Sequence, residues 1–186
     1  RFALRQHLDE EKDWEHVSKY ITRRIPIKEL STIQHGHLRC IDIKPHLDVL
    51  VWDSYFKFAI CRNPYDRFVS SCRFLYRRSE EFNKDPKGGM RSIIENDSEM
   101  SRVLLRPQSD FICDADGSLM VDYLGRYEEL DDSYRRICSL AGIPYSQLGS
   151  VNVTGHDTRA EHLDAGLKEA VRRRYRMDFD VLGYSR

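Results

Sequence analysis

The chain has 186 residues, enough for one domain with a sizeable core and too few for two comfortable ones, so a single domain over 1–186 is expected. Thirty Lys and Arg against thirty Asp and Glu leave no net charge, which argues against a general nucleic-acid coat and makes a local cluster of one sign informative. Hydrophobic residues at 40% with 8 Phe and 10 Tyr exclude a disordered chain, and no apolar run approaches the roughly 18 residues of a membrane span.

The opening RFALRQHL reads as the later turns of a helix. Residues 10–34 are polar and weakly periodic, and Pro26 separates a segment ending near Arg24 from IKELSTI. HGHLRCIDI follows, either as a strand or as the start of a short helix. The apolar, aromatic run Phe56 to Cys61 predicts a buried strand that stops at Arg62-Asn63-Pro64. Asn63 suits a helix N-cap and Pro64 the first helical position. Tyr65, Phe68, Val69, Cys72, Leu75 and Tyr76 then recur at helical spacing as one apolar stripe, with Arg67, Ser70, Phe74 and Arg77 on the other face.

SEEFNKDPKGGM, at 79–90, reads as a charged loop with a Pro and two glycines, and MRSIIENDSEM as a short helix. A hairpin is expected next: Phe111 to Cys113 as one strand, Asp114 to Gly117 as the turn, and Leu119 to Leu124 as the return. Leu130, Tyr134, Ile137, Cys138 and Ala141 mark an amphipathic helix stopped by Gly142 and Pro144. Residues 145–162 read mostly as loop. A last helix from Asp164 to about Met177 carries Leu167, Ala170, Val171 and Tyr175 inward and Arg172 to Arg174 outward. This mixed order suits an α/β domain with a parallel core sheet.

The five cysteines, Cys40, Cys61, Cys72, Cys113 and Cys138, are scattered and form no CxxC. They read as reduced, mostly buried thiols of an intracellular protein.

The segment 56–78 has the make-up of an anion site. A helix start directs backbone N–H groups and positive potential toward the end of the preceding strand. Arg62 stands at the strand tip, and Ser70 lies about two turns along the helix, off the buried stripe and on the side of Arg67. An Arg and a hydroxyl converging in this way can grip a phosphate through charge-assisted hydrogen bonds. The competing reading pairs Arg62 with a local carboxylate such as Asp66 and leaves Ser70 simply exposed. Asp114-Ala-Asp116-Gly117 lacks the remaining ligands of a calcium loop and reads as a turn.

FKFAICRNPYDRFVS resembles the 3′-phosphate-binding motif of sulfotransferases that use 3′-phosphoadenosine 5′-phosphosulfate (PAPS). Arg62, Pro64 and Ser70 match its pattern, as does the intervening Arg67. PQSDFICDADGSLMVDYLGRYEEL, VNVTGH and RRYRMDFDVLGY resemble, in the same order, segments of the carbohydrate-type family 2 sulfotransferases, and HGHLRCIDI resembles the His-Gly-His segment of the heparan-sulfate 2-O-sulfotransferases. The resemblance covers roughly residues 35–186. It implies a P-loop-like parallel sheet flanked by helices, PAPS as donor, 3′-phosphoadenosine 5′-phosphate (PAP) as product, and no metal. The family's Lys-containing Gly/Ser/Thr-rich phosphate loop and its strand are missing from these residues. They are expected upstream of Arg1, where a targeting segment or membrane anchor would also lie.

On this resemblance, Arg62, Ser70, Arg67 and Arg126 are the cofactor-binding candidates. His37 is the expected catalytic base and His35 an orienting or second substrate group, since a neutral His is the natural base near neutral pH. Without it the two imidazoles remain a surface pair or a His-x-His pair short of further metal ligands. Arg126 equally suits an ion pair with Glu128 or Glu129. Asn152 and His156 are candidates to close over the nucleotide, and Arg172 to Arg174 are a solvated face or a contact for an anionic polysaccharide. His7, His16, His46 and His162 carry no motif.

The function expected is sulfuryl transfer to a hydroxyl, with a carbohydrate as default acceptor and a small-molecule alcohol as the variant. A non-catalytic module that binds a nucleotide or an anionic glycan is the alternative from another class. A nucleotide kinase would need the absent loop and a Mg²⁺ carboxylate. No nucleic-acid polymer is expected as partner. The thiols favour the cytoplasm, as for a bacterial protein, whereas an animal protein of this kind would work in the Golgi lumen behind an N-terminal anchor.

Overall fold

The computed structural model describes residues 2–8, 27–31, 37–149 and 163–185. In chain order, α1 (Phe2–Arg5) and α2 (Lys28–Ser31) come first. α3 (Cys40–Ile43) runs into a 3-10 turn at Lys44–His46, and α4 (Val49–Ser54) leads to β1 (Phe58–Cys61). Next stand α5 (Pro64–Leu75), α6 (Glu80–Lys84), α7 (Pro86–Glu95) and α8 (Asp97–Met100). α9 (Ser109–Ile112) precedes β2 (Tyr123–Arg126), which passes through a 3-10 turn at Tyr127–Glu129 into α10 (Leu130–Ala141). α11 (Ala165–Arg174) and α12 (Arg176–Leu182) come last. The architecture is α/β, with β1 and β2 forming a small parallel sheet flanked by helices. The chain divides into two compact units, Arg1–Ile60 with Asp110–Ser150, and Cys61–Ser109 with Val151–Arg186.

In the first unit, Lys57 and Asp122 set the register of the sheet. The Lys57 N–H donates to Asp122 Oδ2 at 2.7 Å, and the Asp122 N–H donates back to the Lys57 carbonyl at 2.8 Å. The Lys57 ammonium completes an ion pair with Asp122 at 3.0 Å and lies 5.5 Å from the centre of the buried Trp52 ring. β2 packs on α10 through Gly125. A Cβ there would stand 2.6 Å from Ile60 Cδ1 and 2.8 Å from Ser133 Cβ, so only glycine fits without displacement. α10 buries Tyr134, Ile137 and Cys138 and ends, as its sequence predicts, at Gly142 with φ of 67°.

The expected hairpin forms only in part. Residues Ser109–Ile112 are helical, and one antiparallel bridge, Cys113 to Leu119, closes the turn. The Asp114 carboxylate accepts from the N–H groups of Asp116 and Ser118, and Gly117 takes a φ of 83°. The turn chemistry is therefore as read, but the strand that follows pairs with β1 instead of with Phe111 to Cys113.

The core of the second unit is built on α5. Phe68, Val69 and Cys72 are fully buried with Leu167, Val171 and Tyr175 of the C-terminal segment. Tyr65 packs on Phe179 with ring centres 4.8 Å apart, and Phe68 on Tyr175 at 6.2 Å. Each such buried side chain contributes roughly 1.5–3 kcal/mol.

The stretch 79–90, expected as loop, is helical. Ser79 caps α6, and Asp85 ends α6 and caps α7 by accepting from the Gly88 N–H at 3.0 Å, with Pro86 at the first helical position. The two glycines are there for space. A Cβ on Gly88 would overlap the Asp85 carboxylate, and one on Gly89 would stand 2.6 Å from the buried Phe82 ring. The last predicted helix is likewise longer, because the chain resumes helix after Tyr175 and buries Asp178, Phe179 and Leu182.

Candidate functional site

The turn from β1 into α5 forms for the reasons its sequence announces. Asn63 accepts the Tyr65 N–H on its side chain at 2.9 Å, and Pro64 occupies the first helical position. The same capping takes up part of the helix start. Pro64 has no N–H, that of Tyr65 goes to the Asn63 side chain, and that of Arg67 goes to the Asn63 carbonyl at 2.9 Å. The Arg62 N–H is also committed, to Gln108 Oε1 at 2.9 Å. An anion at this turn therefore cannot use the N–H groups of Arg62 and Tyr65, and it draws on side chains and on the helix dipole.

Those side chains are Arg62, Arg67 and Ser70, all half-buried and all in the second unit. Arg67 and Ser70 stand three apart on α5, on the side opposite its buried stripe. Ser70 lies about 9 Å along the axis from Pro64, so a ligand meeting both Arg62 and Ser70 must lie alongside the first two turns.

The backbone of Arg62 is held at both polar atoms by one side chain. Gln108 Nε2 donates to the Arg62 carbonyl at 2.8 Å while Oε1 accepts its N–H. Gln108 is fixed in turn by Asp178, a fully buried carboxylate on α12. Asp178 accepts from the Gln108 N–H at 2.8 Å and from Gln108 Nε2 at 3.4 Å. Its other oxygen takes the Ser109 N–H and hydroxyl at 2.8 Å and 2.7 Å. Sequence reasoning missed Gln108 and Asp178 as site residues. Their signal was a polar pair, Gln108-Ser109, and an Asp flanked by Met177 and Phe179, but nothing in the spacing joins positions 70 apart.

In the first unit, Arg126 ends β2, and Ser133 holds its backbone in the same manner. The Ser133 hydroxyl accepts the Arg126 N–H at 2.8 Å and donates to its carbonyl at 3.1 Å. His37 is exposed, with its ring 6.3 Å from that of Phe111 in an edge-on contact. Residues 37–39 precede α3, whose N-cap Arg39 grips Asp42 through 2.8 and 2.7 Å bonds. HGHLRCIDI thus resolves, from Cys40, to the short helix and not to a strand. His35, Asn152 and His156 lie outside the described residues.

Arg172 and Arg174 are committed to carboxylates, Arg172 to Glu169 at 2.7 Å and Arg174 to Asp97 at 2.8 Å, as on a solvated helix face. Among the described residues no disulfide joins any of the five cysteines, four of which are buried, and burial pushes the Cys72 thiol far up. An open groove of about 350 Å³ beside α6 and α7, lined by Tyr76, Phe82, Asp85 and Ser92 among others, contains none of the predicted site residues. Among the described residues no helix is long and apolar enough to cross a membrane.

A family model described as a sulfotransferase family matches residues 10–185, nearly the whole chain. The chain belongs to the sulfotransferase family. No curated protein and no solved structure matched it. Within this sulfotransferase the Arg62–Ser70 segment and the Gln108 and Asp178 contacts all fall inside the matched span. Sulfuryl transfer is therefore the chemistry its side chains have to be read against.

Proposed function

We propose that this sulfotransferase moves a sulfuryl group from PAPS to an acceptor hydroxyl, with a sugar hydroxyl as the default acceptor. The observation that carries the reading is the capped turn from β1 into α5, with Arg62 held by Gln108 and with Arg67 and Ser70 on the open side of the helix. A phosphomonoester carries close to two negative charges and several acceptor oxygens. A guanidinium and a hydroxyl beside a helix start fit such a group.

When bound, the donor supplies the sulfuryl group and leaves as PAP. Arg62, Arg67 and Ser70 would hold the 3′-phosphate, which takes no part in bond making. Arg126, its backbone fixed by Ser133, is the further candidate for a phosphate or acceptor contact. His37 would take the proton from the acceptor hydroxyl as its oxygen forms the new S–O bond and the old S–O bond to phosphate breaks. A neutral imidazole suits that task. His35 is proposed as an orienting group by its likeness to the His-Gly-His segment. The carbohydrate acceptor likewise rests on the likeness to the carbohydrate-type enzymes.

The test is transfer of labelled sulfate from PAPS by the full-length protein to a panel of glycans and small alcohols. Labelled glycan is the expected product. Label only on small alcohols would replace the acceptor assignment, and no PAPS turnover with any acceptor would leave a binding module.

A further inference from the structure

Asp178 is the only charged side chain among the described residues that is fully buried, and its partners are not spread through the core. All four of its hydrogen bonds go to Gln108 and Ser109, the two residues next to the turn that carries Arg62. Burying a carboxylate is costly unless donors satisfy it, and four donors do so here.

The chemistry of this contact sets the direction of the Gln108 amide. A carboxylate only accepts hydrogen bonds, so Asp178 must face the NH₂ of Gln108. The amide oxygen is then left toward the Arg62 N–H, and the second N–H of the same NH₂ reaches the Arg62 carbonyl. With the amide reversed, an NH₂ would confront the Arg62 N–H and an oxygen its carbonyl. One turn before Asp178, the buried Tyr175 hydroxyl donates to the Leu105 carbonyl at 2.6 Å and holds the same 105–109 stretch at a second point.

We propose that Asp178 and Gln108 form a positioning relay for the phosphate-binding arginine: Asp178 orients the Gln108 amide, and Gln108 fixes the backbone from which the Arg62 side chain reaches a 3′-phosphate. The proposal rests on the reading of Arg62 given above. Neither relay residue touches ligand. Both act through Arg62, so their effect is confined to the part of the nucleotide that Arg62 meets.

The experiment measures calorimetric affinity for PAP and for AMP, which differ only by the 3′-phosphate, in the full-length protein. The variants are Gln108→Met, which keeps shape and removes the hydrogen bonds, Asp178→Asn, Arg62→Ala, and the double variant Gln108→Met/Arg62→Ala. Gln108→Met is expected to weaken PAP roughly three- to tenfold, as the loss of one or two hydrogen bonds would. AMP affinity should stay within error, and the Arg62→Ala background should show no further loss. Asp178→Asn, which permits the reversed amide, should act in the same sense wherever it folds. Equal loss of PAP and AMP in Gln108→Met would make the pair merely structural and overturn the relay. So would an unchanged PAP preference, or a Gln108→Met effect that adds in full to Arg62→Ala. A wild-type protein that binds PAP no better than AMP would instead overturn the phosphate assignment of Arg62, and the relay with it.

Discussion

Ser70 and His37 are asked to do different things, and single substitutions separate them. On the proposed function Ser70 would offer one hydroxyl to a doubly charged group, whereas Arg62 would offer a fixed cation. Ser70→Ala should therefore cost PAP binding about 1.5 kcal/mol, toward the lower end for a hydrogen bond to a charged partner, and calorimetry on the folded variant reads it directly. His37→Ala should leave PAP affinity nearly intact while lowering turnover about 10²- to 10⁴-fold. If His37 is the base, as proposed, wild-type activity should fall on acidification and the variant's residual rate should lose that dependence. Wild-type kcat in His37→Ala would move the base elsewhere without touching the Arg62 assignment. The local structure of this turn was legible in the sequence because one short motif contains it: Asn63 caps α5 and Pro64 takes its first position, between Arg62 and Ser70. Gln108 and Asp178 were not legible, because their role exists only once distant segments meet and the carboxylate has been buried.

At the level of elements, the helices with strong caps and one apolar face were readable. α5 and α10 begin and end close to where the pattern places them. The misreadings share a cause. Around Gly88 and Gly89, and at Phe111 and Ile112, propensity pointed one way and packing the other: the glycines make room for Asp85 and Phe82 inside helical structure, and Ser109–Ile112 is helical with Ser109 bonded to Asp178. The strand pair depends on close approach in the same way. Gly125→Ala would press a methyl group to 2.6 Å from Ile60 Cδ1 and 2.8 Å from Ser133 Cβ. It should destabilise the protein by about 1–3 kcal/mol, measured as a lower denaturation midpoint with an unchanged slope. A neutral outcome would mean that Ile60 gives way freely. Because Ser133 also holds the Arg126 backbone, the same substitution should disturb that arginine.

For the whole molecule, stability should be bounded by pH on both sides, from groups whose directions of shift are clear. Four carboxyls are held below their usual range: Asp122 by the Lys57 N–H, Asp131 by the Tyr145 hydroxyl, Asp164 by the Leu167 N–H, and Glu169 by Arg172. In acid the unfolded chain binds these protons first. Their contribution is thus complete above the ordinary carboxylate values of about 4 and is lost as pH falls below them. On the alkaline side, burial and then the bond to Glu99 push Tyr76 up to about 12, and burial raises Tyr65. The unfolded chain loses these protons first, so stability is complete below about pH 10 and is lost as pH rises through the folded values. Thermal melts across pH should show a plateau with both shoulders, and a midpoint that rises on acidification below about pH 4 would contradict the acid limb. None of this decides function, which turns on whether the molecule reads a 3′-phosphate through Arg62. The direct measurement is the calorimetric affinity of the full-length protein for PAP and for AMP, in the wild type and in Arg62→Ala. The wild type should prefer PAP by at least about tenfold, as a charge-assisted contact of about 1.5–3 kcal/mol requires, and Arg62→Ala should erase most of that preference. Equal affinity for the two nucleotides in the wild type, or a preference that survives Arg62→Ala, would contradict it.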